Sequence, residues 1–171
     1  FDKGVVYISA TRYKFNDYAS YTYKTTDNGL TWTSINKGVK QDDFIKVIRE
    51  DKKNKNILYA GSERGFYISV DGGVSWKRFE NQMPKNGVRA VVVHPREDAV
   101  ILGTHGRGIY IIDDITPLRQ ITKDVVKSKL HFFNTKPTLL KLTKGGSPFG
   151  GAGNFVGANP RNVAYITYYM K

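Results

Sequence analysis

Residues 25–32, TTDNGLTW, and residues 69–76, SVDGGVSW, share the pattern S/T-x-D-x-G-x-x-W and end in the chain's two tryptophans. Asp27 and Asp71 stand 44 positions apart. A pattern that returns after about 40–50 residues marks a stacked or radially repeated architecture rather than a single catalytic centre. Other segments keep the same period. Gly65-Phe66-Tyr67-Ile68 matches Gly108-Ile109-Tyr110-Ile111 43 positions later, and Tyr21-Thr22-Tyr23-Lys24 precedes TTDNG as Phe66-Tyr67-Ile68 precedes SVDGG. The chain carries about three copies of one unit, the first cut at its start and the third degenerate.

Each unit reads as four short strands. In the middle copy they are FIKVIRE (44–50), NILYAG (56–61), GFYISV (65–70) and SWKRFE (75–80). They are β-branched and aromatic and are separated by the turn-forming KKNKN, SERG and DGG. The third copy offers VRAVVVHP (88–95), AVILGT (99–104), RGIYIID (107–113) and PLRQIT (117–122). RAVVVH is nearly all apolar, which predicts a strand buried on both faces. Four strands in about 43 residues make one propeller blade, and a ring needs about four to eight of them. The fold expected is all-β: a partial propeller with blades at about 1–37, 38–80 and 81–122. Its missing part is the rest of a longer protein or is supplied by neighbouring chains.

The repeated residues suit a turn. Asp27 and Asp71 can accept hydrogen bonds from backbone N–H groups of their own turn. Gly29 and Gly73 permit positive φ. Thr25 and Ser69 add a hydroxyl, and Trp32 and Trp76 offer large apolar area to pack beneath the turn. A catalytic carboxylate needs a partner and a cleft and does not recur at blade period. In the third copy, IDDITPLR, Asp114 persists, Thr116 replaces the glycine and Arg119 replaces the tryptophan.

S/T-x-D-x-G-x-x-W at this spacing resembles the Asp-box, or bacterial neuraminidase repeat, of sialidases, xyloglucanases, sortilin-type receptors and a photosystem assembly-factor family. The segment GTHGRGIYIIDDITPLRQIT (103–122) is similar to bacterial sortilin-like, many-bladed proteins, several labelled glycosyl hydrolase. The resemblance implies an extracytoplasmic bacterial protein whose Asp-boxes lie away from the ligand face. It also implies that LHFFNTKPTLLKL and GANPRNVAYITYYMK lead out of the propeller into a following β-sandwich.

The opposite face is then the place for binding. Its loops join the second and third strands: ATRYKFNDYAS (10–20), SERG (62–65) and THGRG (104–108). The first, read as a long loop, offers Arg12, Tyr13, Lys14 and Asp17, a mixture suited to a sugar ring or a peptide. The second offers Glu63 and Arg64. The third offers His105 and Arg107 between glycines that would let a backbone approach closely. The connections INKGVKQDD (35–43) and ENQMPKNG (80–87) border the same face and add Asp42 and Asp43. Arg107 either meets ligand or pairs with a carboxylate of the next blade, and Glu63 with Arg64 is either a contact or a surface pair.

No catalytic residue is assigned. Glycoside hydrolysis usually needs two carboxylates across a cleft, and no spacing pairs Asp17, Asp42 or Glu63. His94, His105 and His131 are far apart, so no metal and no cofactor are expected. There is no cysteine, and no run of about 18 apolar residues. The opening FDKGVVYISA does not have the form of a signal peptide.

The formal net charge is +12. Residues 1–122 hold 19 basic and 14 acidic side chains, whereas residues 123–171 hold 8 basic ones and the single acid Asp124. No nucleic-acid motif accompanies this charge, so the tail is read as a solubilising surface or as a face for an acidic partner in an envelope complex. Residues 123–162 are read as a linker with a short helix in ITKDVVKSKL (121–130), capped by Thr122, and a Gly-rich loop (145–160). Residues 163–171 are read as a docking strand or the first strand of a following domain. The leading functional reading is a non-catalytic propeller module that binds protein, peptide or glycan; the alternative is the C-terminal part of a sialidase- or xyloglucanase-like glycoside hydrolase.

Overall fold

The computed structural model describes residues 2–81, 83, 85–138 and 163–171. The chain divides into two compact units, Phe1–Ile121 and Thr122–Lys171.

The first unit is three antiparallel sheets in a row. The first sheet is β1 (Val6–Arg12), β2 (Asp17–Thr25) and β3 (Thr33–Ser34). The second is β4 (Ile45–Glu50), β5 (Leu58–Ser62), β6 (Phe66–Ser69) and β7 (Lys77–Arg78). The third is β8 (Val88–Val93), β9 (Val100–Thr104) and β10 (Ile109–Ile112). Each sheet is an up-and-down meander in chain order. The innermost strand β4 packs beside β1 and β8. These are successive blades of a β-propeller, with the middle one complete at four strands.

Alternation explains how the blades stack. Successive side chains of a strand point to opposite faces. On β5 and β6, Leu58, Ala60 and Tyr67 join Ile35, Ile45 and Trp76 in a core shared with the first blade. Tyr59, Phe66 and Ile68 face the other way, into a core with Val88, Val91, Val93, Val100 and Leu102. Both faces of β5 and β6 are therefore buried. In β8, Val88 and Val93 are buried and Val92 is half exposed. A register shift between Val88 and Ala90 changes the alternation along the strand.

Two expectations are corrected. PLRQIT does not form a fourth strand; Thr116–Arg119 is one helical turn, α1, entered at Pro117. Proline cannot donate to a ladder but suits a helix start. The segment 10–20 is mostly strand. Arg12 pairs with Asp17, which leaves a short 3-10 turn, Tyr13–Phe15, closed by Asn16 with φ 60°.

Gly38 lets the connection after the first blade lie against the Trp76 backbone. Its φ is +92°, and a Cβ there would lie 2.2 Å from the Trp76 carbonyl oxygen. Trp76 donates its indole N–H to the Ile35 carbonyl at 2.7 Å and is buried.

In the second unit, α2 (Lys123–Lys127) is capped by Thr122, whose hydroxyl accepts from the Val125 N–H at 3.2 Å. β11 (Leu130–Phe132) pairs antiparallel with β12 (Tyr168–Met170). The Gly-rich run 145–160 lies outside the described residues.

Candidate functional site

The two Asp-boxes have the same bonding. Asp27 accepts from the Thr25 hydroxyl at 2.7 Å, the Thr31 N–H at 2.9 Å and the Thr31 hydroxyl at 2.6 Å. Asp71 accepts from the Ser69 hydroxyl at 2.7 Å, the Ser75 N–H at 2.9 Å and the Ser75 hydroxyl at 2.5 Å. Thr25 and Ser69 each accept the N–H of Gly29 or Gly73 at 2.9 Å. The Thr31 hydroxyl and N–H, then Thr25, hold the Asp27 carboxyl down to about 2. Trp76 is buried, while Trp32 is 41% exposed and bonds the Gly29 carbonyl. In the third blade Asp114 accepts from the Thr116 N–H and hydroxyl at 2.9 and 2.7 Å.

These turns share a face with the turns joining first and second strands, since the Gly72 N–H bonds the Asn56 carbonyl at 2.7 Å. The opposite face carries the remaining turns. There the inter-blade connection and the 62–65 turn are bonded together. Asp43, fully buried, accepts from the Arg64 N–H and the Tyr67 hydroxyl, both at 2.9 Å. Burial and the Asp43 charge push the Tyr67 hydroxyl up to about 12.

This face holds an aromatic pocket of about 170 Å³ lined by Tyr13, Tyr18, Phe44, Lys46, Glu63 and Arg89. The Tyr13 ring lies parallel to Phe44, with centroids 5.7 Å apart and planes at 7°. Tyr18 is tilted against the same ring at 6.5 Å, and the Lys46 ammonium sits 5.0 Å from its centroid. Phe44 is buried, whereas Tyr13 and Tyr18 are 46% and 47% exposed. Glu63 is ion-paired with Lys46 and lies 3.7 Å from the Arg89 guanidinium. Tyr18 also lines an adjoining open concavity of about 530 Å³ with Asn16, Asp17, Ala19, Gln41 and Asp42. Lys46 and Arg89 continue into a polar groove of about 330 Å³ with Tyr7, Ser9, Val47, Ile48 and Arg49.

The structure thus brings Tyr13, Asp17 and Glu63 into two adjoining hollows. Asp17 accepts from the Tyr21 hydroxyl at 2.6 Å and lies 3.5 Å from Arg12; the Tyr21 bond holds its carboxyl below the usual range. Arg64 pairs with Asp42 rather than with its neighbour Glu63. Lys14 is exposed on the 3-10 turn and lines none of these hollows. His105 and Arg107 are exposed on the β9–β10 turn, also outside them. Gly106 and Gly108 have φ +77° and +76°, and nothing lies within 4 Å of a Cβ at either. Both glycines hold left-handed backbone.

Phe44, Lys46 and Arg89 were missed from sequence. The blade register contained the signal for two of them: Lys46 and Arg89 are 43 positions apart and follow Ile45 and Val88, the last inner-strand residues before the same register shift. Among the described residues, no group of three or more His, Cys, Asp or Glu side chains is placed to hold a metal ion.

The family model Sortilin-Vps10 (sortilin, neurotensin receptor 3) matches residues 20–137, more than half of the chain. The chain belongs to the Sortilin-Vps10 family. It is also 26% identical to a xyloglucanase of Hypocrea jecorina over 100 residues, covering 52% of this chain and 12% of that protein. A xyloglucanase of a Paenibacillus species is 30% identical over 99 residues, 54% of this chain and 10% of its own length. The GH74 enzyme of Niastella koreensis superposes with a TM-score of 0.53 at 23% identity, over 66% of this chain and 20% of that one. This Sortilin-Vps10 chain spans about a tenth of the curated relatives it matches. The likeness to the solved enzyme is one of fold.

Proposed function

We propose that this chain is the glycan-binding part of an extracytoplasmic propeller and takes sugar rings on Tyr13 and Tyr18 without cleaving them. The parallel Tyr13–Phe44 stack carries the reading. Buried Phe44 braces one side of the pocket while the two tyrosines stay about half exposed. Sugar C–H groups pack well against such faces, and Asn16, Gln41 and Asp42 around the adjoining hollow supply polar partners for hydroxyls.

The carboxylates of this face support binding rather than catalysis. Asp17 is held by Tyr21 and Arg12, Asp42 by Arg64, Asp43 by Tyr67, and Glu63 by Lys46. A general acid for glycoside cleavage needs a carboxyl whose pKa is raised, whereas the Tyr21 hydrogen bond holds the Asp17 carboxyl below its usual range. The hydrolase reading draws on the two relatives named xyloglucanase.

The test is calorimetric titration of the intact protein with a panel of plant and microbial oligosaccharides, beside an assay of reducing ends. Binding without new reducing ends, weakened by Tyr18→Ala, is expected. Cleavage that Asp27→Ala leaves intact but Asp17→Asn or Glu63→Gln abolishes would overturn the non-catalytic reading.

A further inference from the structure

The pocket's charge specifies its ligand further. Its lining holds two cations, Lys46 and Arg89, against one carboxylate, Glu63. Lys46 is 14% exposed and committed to Glu63 in close contact. Arg89 lies farther from the same carboxylate, at 3.7 Å, and its side chain is 47% exposed. One carboxylate cannot neutralise both. The groove continuing from Lys46 and Arg89 adds Arg49 and has no Asp or Glu in its lining. The Arg49 guanidinium donates to the adjacent Ile48 carbonyl at 2.9 Å and is exposed. The positive surplus therefore begins at the edge of the aromatic platform and extends along one side of it.

We infer that the ligand is an acidic oligosaccharide, bound with a neutral ring face on the tyrosines and a carboxylate or sulfate against Arg89. A planar guanidinium with unspent N–H donors fits either oxyanion in two-point fashion, which a neutral hydroxyl does not match. Glu63 holds Lys46 in place and leaves Arg89 as the accessible cation. This rests on the glycan-binding reading above.

The test uses the intact protein and three probes: a galacturonate trimer, a sulfated galactose trimer and a neutral galactose trimer. Titrations run at about 50 and about 300 mM salt. An acidic trimer is expected to bind about tenfold more tightly than the neutral one, the scale of one charge-assisted contact. The advantage shrinks at the higher salt. Arg89→Gln removes the preference, bringing the acidic trimers' affinity down to that of the neutral one. Tyr18→Ala weakens all three probes. Preference for the carboxylated or for the sulfated trimer supports the inference and identifies the anion. Equal affinity for neutral and acidic trimers, or a preference that survives Arg89→Gln, overturns it while leaving glycan binding in place. Binding of no trimer by a folded protein overturns both.

Discussion

Arg119 grips Asp51 across 68 positions of sequence: its Nε and one terminal nitrogen each donate to a different carboxylate oxygen at 2.9 Å. Asp51 is fully buried at its side chain and also accepts from the Tyr59 hydroxyl at 3.1 Å and the Lys53 N–H at 2.8 Å. Arg119 bonds Asp98 as well, and Lys53 reaches Asp98 at 2.6 Å. The residue standing where two other blades have tryptophan thus ties the end of the third blade to the second. Burial disfavours charge on both partners, yet the hydrogen bonds outweigh it, lowering Asp51 and raising Arg119.

Removing one partner strands the other. Arg119→Met leaves the buried Asp51 charge without its guanidinium, a change worth about 3–5 kcal/mol. Asp51→Asn combined with Arg119→Met is expected to recover part of that loss. Urea midpoints of the two single variants and the double variant check this; strict additivity would show that the pair is not coupled.

Acid should release several of these contacts together. Thr31 holds Asp27 at about 2, Lys53 lowers Asp98, and at Asp51 and Asp71 hydrogen bonds overcome the opposing effect of burial. A carboxyl depressed by folding stabilises fully above its unfolded pKa, here the ordinary 3.8, and loses that contribution as pH falls through its folded value. Melting temperature should be level down to about pH 5 and fall steeply between about pH 4 and pH 2. A flat profile through that window would contradict the assignment.

Gly38→Ala tests the packing of the 35–43 connection against Trp76. The new Cβ would need to sit 2.2 Å from a backbone oxygen, at a φ of +92°. A loss of about 2–4 kcal/mol is expected, because backbone strain and overpacking act together. Denaturant unfolding measures it, with Gly106→Ala as the comparison: that site has open space and suffers only the φ penalty.

The turn and the pocket should separate cleanly. Ser69→Ala removes a buried hydroxyl that accepts from the Gly73 N–H and donates to Asp71, at a cost of about 1–3 kcal/mol. It should leave glycan affinity unchanged. Tyr13→Ala should do the reverse, lowering affinity about tenfold with little change in the unfolding midpoint. Paired titration and unfolding curves decide; a Ser69→Ala protein that stays folded but loses ligand would relocate the binding face.

What the sequence determined by itself was the repeat, its strands and its turns, and the reason is range. The Asp27 and Asp71 bonds span two and four positions, so their residue types are visible within an eight-residue window. The alternation that makes blades is equally local. It did not show what each strand face would meet, which depends on how the blades stack, as the two cores flanking β5 and β6 show. Of the two hollows, the loops showed Tyr13, Asn16, Asp17, Tyr18, Asp42 and Glu63. Only the tertiary structure set Phe44 under Tyr13, placed Glu63 between Lys46 and Arg89, and sent Arg119 to Asp51. Those contacts cross between loops, strands and blades, so they depend on how the repeats are stacked rather than on the residues adjacent in the chain.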